Sequence, residues 1–248
     1  AGPAATATLT ADYGPRITDY GPTGVLHGPV EYIDVTFNEP IDPASFGLDD
    51  VSVVLTTPIV LGSIGAVDHI TGVQVVGSLA YTADNFAGLR IIDVSDPTAP
   101  VAVGLFDTTG EAWRVQVVGN LAFVADCGGG MKIIDVSDPA AMVQLGQYAG
   151  NVTEVEAVGT LAYVADYDYG LRIVDVTDPA NPVLLGSCDT PGRPQGVDVV
   201  GSIAYVADDI SGLRVIDVSD PFHPVEIGYY DTAGHSRGVQ VVDGLAYV

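Results

Sequence analysis

Basic residues are nearly missing from this chain. Its 248 residues include 8 Lys and Arg against 32 Asp and Glu, a formal net charge of −24, and Lys132 is the sole lysine. Binding to nucleic acid neutralises phosphates with clustered Lys and Arg, so that class of function is excluded. Adhesion to an anionic membrane surface is excluded on the same ground. Cysteine is scarce too. Cys127 and Cys188 are the only two, at positions that do not correspond to each other, and they imply no disulfide framework. No apolar run approaches the ~18 residues of a membrane-spanning helix. Helical periodicity of 3.6 is missing throughout, which excludes bundles and helical solenoids. There is no G-x-S-x-G, no H-E-x-x-H and no phosphate-cradling glycine loop. Gly128-Gly129-Gly130 reads as a turn. An acid-rich chain of this kind keeps its hydration in saline or calcium-rich surroundings, which predicts a secreted or cell-surface protein.

What is present is a repeat. Leu89–Val101 (LRIIDVSDPTAPV), Met131–Val143 (MKIIDVSDPAAMV), Leu171–Val183 (LRIVDVTDPANPV) and Leu213–Val225 (LRVIDVSDPFHPV) are one unit written four times. Its central Asp falls at 93, 135, 175 and 217. Between the copies run two further conserved segments. One is V-x-V-V-G, at Val73–Gly77, Val115–Gly119, Val155–Gly159 and Val197–Gly201. The other is A-aromatic-x-A-D, at Ala80–Asp84, Ala122–Asp126, Ala162–Asp166 and Ala204–Asp208. A fifth copy begins at Val239 and breaks off at Val248. Each unit of about 42 residues thus carries four short β-branched runs separated by Gly, Asp or Pro turns.

Four strands per repeat predict an all-β fold, a β-propeller of four-stranded antiparallel blades. V-x-V-V is strand A, innermost. A-Y-V-A-D is strand B, L-R-I-I-D-V strand C, and P-V-x-x-G strand D, outermost. Gly77, Gly119, Gly159 and Gly201 fall in the A–B hairpins, where a positive φ is wanted. The count is about five blade-equivalents, in a closed ring or an open arc. Closure needs Pro58–Ile64 as a D strand, with a C strand from Gly47–Ser52, beside Val239–Val248 as strands A and B. The chain starts at Ala1 and ends within a repeat, and it reads as a processed chain or a fragment.

The sequence divides at residue 57. Residues 58–248 are repeats, and residues 1–57 are different. Residues 1–14 read as a lead-in, Val30–Phe37 and Val51–Leu55 as strands, and Asn38–Pro43 as a turn. The stretch VTFNEPIDPASFGLDDVSV resembles the first half of a bacterial Ig-like module, which implies a partial Ig-like β segment. From residue 58 on, IIDVSDP, IVDVTDP, VIDVSDP and YVAD resemble the LVIVD-repeat family of bacterial and archaeal surface proteins. That resemblance implies the propeller fold and a surface location.

A catalytic residue is normally used once, whereas the acids here recur in every blade. Asp84, Asp126, Asp166 and Asp208, Asp93, Asp135, Asp175 and Asp217, and Asp96, Asp138, Asp178 and Asp220 all read as caps of backbone N–H groups in Asx turns. No cofactor is assigned. Calcium is the one ion the carboxylates would suit, with Asp166, Asp168, Asp208 and Asp209 in the B–C loops as its candidate ligands. Arg90, Lys132, Arg172 and Arg214 share one strand C position, where pairing with a neighbouring Asp or snorkelling over apolar surface is expected.

The D–A loops vary while the scaffold does not. Four residues before each strand A Val stand His69, Glu111, Asn151, Arg193 and His235. Variable loops on a constant scaffold are the usual construction of a binding surface. The candidate binding residues are His69, Trp113, Arg114, Arg193, His235 and Arg237. Trp113 would supply stacking area, and the arginines charge-assisted contacts. The expected function is a non-enzymatic platform for a protein or glycan partner, with no nucleic acid and no membrane insertion. The alternatives are a hydrolase or lyase acting on an acidic polysaccharide, with rim His and Arg as its machinery, and a purely structural repeat module.

Overall fold

The computed structural model describes residues 17–21, 34–37 and 60–248. The chain forms two compact units, Ala1–Ser63 and Ile64–Val248. In the first unit, β1 (Ile17–Gly21) and β2 (Asp34–Phe37) are antiparallel, with Ile17 opposite Phe37 and Gly21 opposite Asp34. β2 falls within the strand expected at Val30–Phe37. The expected lead-in, the Asn38–Pro43 turn, the Val51–Leu55 strand and the Gly47–Ser52 strand lie outside the described residues.

The second unit is four four-stranded sheets and one two-stranded sheet. Blade 1 is β3 (Gly72–Val76), β4 (Leu79–Ala83), β5 (Leu89–Asp93) and β6 (Val101–Phe106). Blade 2 is β7 (Glu111–Val118), β8 (Leu121–Cys127), β9 (Gly130–Asp135) and β10 (Val143–Tyr148). Blade 3 is β11 (Val152–Val158), β12 (Leu161–Asp166), β13 (Gly170–Asp175) and β14 (Val183–Cys188). Blade 4 is β15 (Gly196–Val200), β16 (Ile203–Ala207), β17 (Leu213–Asp217) and β18 (Val225–Tyr230). In each, the strands pair antiparallel in chain order, A to D. The A strands of successive blades lie beside one another, β3 by β7, β7 by β11 and β11 by β15.

The period-two alternation of each strand sends its side chains into two different interfaces. Tyr81, Ala83, Leu89 and Ile91 of blade 1 pack on Ala112, Ala122, Val124, Ile134 and Val136 of blade 2. Phe123, Ala125, Met131 and Ile133, on the other face of blade 2, pack on Val155, Ala162, Val164, Val174 and Val176 of blade 3. The blade 3–blade 4 interface repeats the pattern. Each buried Ile or Leu is worth roughly 1.5–3 kcal/mol, and no blade can bury both faces without neighbours.

Two motifs of the repeat turn out to be one contact. In blades 1 to 3 the glycine of the D strand faces the Asp-Pro turn of the following blade. A Cβ at Gly104 would stand 2.3 Å from the Pro139 carbonyl oxygen, at Gly146 2.2 Å from that of Pro179, and at Gly186 2.3 Å from that of Pro221. Only glycine leaves room there. The turns are held from within. Asp93, Asp135, Asp175 and Asp217 each accept the backbone N–H two residues on, at 2.8–2.9 Å. Asp96, Asp138, Asp178 and Asp220 do the same at 2.9–3.1 Å. These eight are the Asx caps the sequence predicts. The A–B hairpin glycines take the expected φ of +61° to +64°.

After blade 4 come β19 (Gln240–Val242) and β20 (Leu245–Tyr247), the A and B strands of a fifth unit. The expected composite blade is not formed among the described residues. Residues 60–64 carry no strand, and β19 and β20 pair with each other alone. A D strand can join a blade only through a C strand, and none lies against β20 among the described residues. The blades do not close into a ring through any described ladder.

Candidate functional site

The rim of D–A and B–C loops is built on four buried acids. Asp84, Asp126, Asp166 and Asp208 are the last residues of the A-Y-V-A-D motif, and all are essentially inaccessible to solvent. They do not simply cap turns as expected, because all four reach up into the loop that enters their own blade. Asp84 accepts the Val67 N–H at 3.4 Å. Asp126 accepts the Thr108 hydroxyl at 3.1 Å. Asp208 accepts the Thr190 hydroxyl and the Gly192 N–H, each at 2.7 Å. Asp166 accepts the Asn151 N–H of its entry loop and also makes the local turn, accepting the Asp168 N–H at 3.1 Å. The strand C bases come to these acids from the other side: Arg90 to Asp84 at 3.7 Å, Lys132 to Asp126 at 3.9 Å and Arg214 to Asp208 at 3.7 Å. Arg172 turns away to Asp189, at 3.9 Å.

Loop glycines make this approach feasible. A Cβ at Gly110 would lie 2.5 Å from an Asp126 carboxylate oxygen, and one at Gly150 2.6 Å from that of Asp166. Burial pushes Asp126 up to about 6 and moves Asp166 and Asp208 up as well.

The six candidate binding residues do not converge. His69 bonds Asp68 at 2.8 Å and is well exposed. His235 bonds Asp209, at 2.5 Å. Arg193 donates to the Tyr167 hydroxyl at 2.8 Å and lies 5.0 Å from that ring's centre. Trp113 and Arg114 are not loop residues. They belong to β7, which bulges between Ala112 and Arg114. Trp113 donates its Nε1–H to Glu111 at 3.3 Å. Arg114 donates to the Thr71 carbonyl of the loop entering blade 1 and sits 3.8 Å from Glu154 of blade 3. It is a tie between blades. Arg237 is exposed.

The B–C loops hold contacts the sequence does not reveal. Asn85 and Asp209, both at positive φ, form β-bridges to Ala112 and Ser236, at the entry to the next A strand. Cys127 donates to Asn151 at 2.9 Å across the blade 2–blade 3 boundary. Beside these rivets the loop tips expose large apolar side chains: Phe86 at 65%, Tyr169 at 58% and Ile210 at 71%. The signal was available, since each lies two or three residues past the strand B Asp. It was hidden because the three differ in residue type.

The candidate calcium ligands are committed elsewhere. Asp166 and Asp208 serve the loops, Asp209 meets His235, and Asp168 accepts from the Asn151 amide at 3.3 Å. Among the described residues, no three His, Cys, Asp or Glu gather as a metal-sized cluster. Among them, no helix is long and apolar enough to cross a membrane.

Facing away from the rim loops, the strand A residues between the valines lace neighbouring blades. Gln74 accepts the Val117 N–H, Gln116 the Ala157 N–H, and Asp198 the Val241 N–H. Glu156 accepts the Val199 N–H. Glu154, two residues earlier in β11, accepts the Val197 N–H at 3.3 Å.

The LVIVD repeat family matches residues 69–108, 109–149, 149–190 and 191–232. The chain belongs to the LVIVD repeat family. No curated protein matches it. Among solved structures it is similar to the computationally designed Ika4 protein, with a TM-score of 0.54 at 11% identity, over 66% of this chain and 100% of that one. It is also similar to the computationally designed Ika8 protein, with a TM-score of 0.52 at 10% identity, over 69% of this chain and 51% of that one. At such identities the likeness concerns the fold alone. Each matched LVIVD segment runs from a D–A loop to the next, so the family unit spans strands A, B, C and D in order.

The lacing position varies between LVIVD repeats in one consequential way. Blades 1 and 2 use glutamine, while blades 3 and 4 use Glu156 and Asp198. Burial, then the Asp198 carboxylate, pushes Glu156 up to about 7. Burial pushes Glu154 up to about 7 against the opposing pull of Arg114. A carboxyl whose pKa is higher folded than unfolded favours folding as pH falls through that interval. With Asp126 near 6 and the two glutamates near 7, stability should rise between about pH 8 and about pH 5. The turn acids, held below the ordinary range by their Ser and Thr bonds, oppose this only at lower pH. Glu156→Gln keeps an acceptor for Val199 and gains a donor toward Asp198. Thermal melts across that range should show a higher Tm at the alkaline end and a flatter slope for this variant. An unchanged slope would refute the assignment.

Proposed function

We propose that this chain is a non-enzymatic interaction platform, secreted or held at a cell surface, whose blade rim takes a protein or glycan partner. One observation carries the reading. On a scaffold that barely varies, each of three B–C loops exposes a different large apolar tip, Phe86, Tyr169 and Ile210, beside polar groups fixed by the neighbouring blade. Apolar tips supply contact area, and pre-positioned Arg193 and His235 supply orientation at little entropic cost. The acidic, lysine-poor surface supports the extracellular setting. A hydrolase or lyase would want His, Arg and carboxylate at one mouth. Here the described His–carboxylate pairs lie apart: His69–Asp68 in the loop entering blade 1, His235–Asp209 between the last D–A loop and the B–C loop of blade 4, and His223–Asp220 in the Asp-Pro turn of blade 4.

The test is an array bearing purified glycans and purified surface proteins. The triple variant Phe86→Ser/Tyr169→Ser/Ile210→Ser should lose at least about ten-fold in signal, some 1.4 kcal/mol. Its stability should stay within about 0.5 kcal/mol, because exposed tips carry no core. A blank array, or a signal indifferent to the triple variant, would overturn the proposal.

A further inference from the structure

Blade 2 departs from the other three at a buried charge. The strand C base is Arg90, Arg172 and Arg214 in blades 1, 3 and 4, and in blade 2 it is Lys132, the one lysine of the chain. The arginines reach further partners. Arg90 donates to the Gly65 carbonyl at 2.7 Å, Arg172 meets Asp189 and the Tyr169 ring, and Arg214 meets Glu226 and the Tyr229 ring. Lys132 is 5% exposed, and its described partners are Gln147 Oε1 at 3.0 Å and Asp126, whose Oδ2 lies 3.9 Å from Nζ. Val124 stands opposite Lys132, and Asp126 opposite Gly130. The two side chains are therefore diagonal neighbours on one face of the sheet, with a glycine leaving room between them. A charge pair in a dry interior normally closes to a short hydrogen bond. Here Asp126 Oδ2 has no hydrogen-bond partner among the described residues, although Asp126 is fully buried. The loop backbone shuts over it, so that a Cβ at Gly129 would stand 2.0 Å from that oxygen. An orphaned carboxyl oxygen beside a lysine amine in a sealed site calls for an explanation.

We propose that Lys132 and Asp126 condense to a side-chain amide that cross-links strands B and C of blade 2. The reacting forms are the neutral amine and the neutral acid, reached by proton transfer from ammonium to carboxylate. Burial favours both, and it already holds Asp126 near 6. The Thr108 hydroxyl donates to Oδ1 at 3.1 Å and polarises the carboxyl carbon. Gln147 holds one N–H of the amine. The Nζ lone pair attacks Cγ, the Cγ–Oδ2 bond breaks, and Oδ2 leaves as water with its own proton and one from Nζ. No oxidant or co-reactant is consumed. Condensation is unfavourable between free groups in water, but well-oriented intramolecular reactions gain effective concentrations of roughly 10⁵–10⁸ M. The linkage also removes two charges from a site that excludes solvent. A guanidinium does not lose its proton to become a nucleophile, so the acids of blades 1, 3 and 4 keep their ionic surroundings. The bond ties down the Gly128–Gly130 turn. A linked Asp126 no longer titrates, which leaves the pH slope to Glu154 and Glu156. The proposal is independent of the rim.

The test is the intact mass of the whole chain, purified folded and then unfolded in guanidinium. It should fall about 18 Da, one water, short of the sequence mass. Lys132→Arg, which restores the residue of the other blades, and Asp126→Ala should each show the full sequence mass. Acetylation of the unfolded chain should add the same number of groups to the unmutated protein as to Lys132→Arg, because Nζ is already acylated. A succinimide at Asp126 would lose the same water but leave the amine free, so the acetyl count separates the two. A chain of full mass, or one that takes one more acetyl group than Lys132→Arg, would overturn the proposal.

Discussion

Gly146→Ala is expected to destabilise the protein by about 3 kcal/mol, while Gly228→Ala, at the equivalent strand position, leaves it within about 0.5 kcal/mol. The two substitutions are chemically identical and sit at the same register of a D strand. They differ in what lies opposite. A Cβ at residue 146 would meet the Pro179 carbonyl oxygen at 2.2 Å and the Ala180 carbonyl oxygen at 3.0 Å. Backbone atoms of a turn pinned by its own Asp cannot step aside, so blade 2 must separate from blade 3. At residue 228 the same methyl group meets Val215 at 4.0 Å, an ordinary contact. Gly104→Ala and Gly186→Ala should behave like Gly146→Ala. Urea titration of all four reads the effect directly, since the midpoint shifts while the slope holds. Equal losses at 146 and 228 would show that the glycines serve chain flexibility and not the contact.

Asp208→Ala should cost about 3–5 kcal/mol. It removes the acceptor of the Thr190 hydroxyl and the Gly192 N–H and leaves Arg214 buried beside nothing at that end. Glu226 at 3.5 Å and the Tyr229 ring at 5.0 Å retain part of the guanidinium's surroundings, which argues for the lower end of that range. Asp166→Ala should cost less, because Arg172 already pairs with Asp189. Pairing Asp208→Ala with Arg214→Met should recover part of the loss, the mark of a charge stranded by its partner's removal. Calorimetry on the single and double variants decides this. A loss below about 1 kcal/mol for Asp208→Ala would mean that the loop holds its shape without the buried acid.

The blades were legible because each repeat states them four times over. Strand order, the A–B glycines and the turn acids Asp93 and Asp96 with their counterparts follow from local rules of pleat and turn. The buried role of Asp84 and Asp208 was not legible. An Asp after a strand looks alike whether it caps its own turn or reaches into a loop many residues earlier. Trp113 and Arg114 read as loop residues because a bulge shifts the pairing without altering composition. The rim was legible as a place but not as an arrangement. Arg193 finds Tyr167, and His235 finds Asp209, across blade boundaries that no periodicity reveals. Gly104 and Pro139 were each noted as turn or strand punctuation, and nothing in either motif says that one exists for the other.

The contact between a D-strand glycine and the turn of its successor has a direction. In all three contacts the earlier blade offers the socket and the later one inserts the plug, so the array is polar, like a row of shingles. During synthesis the socket of each blade waits until the ribosome has delivered the next hairpin. Assembly therefore proceeds vectorially, and the most recently made blade is always the least secured.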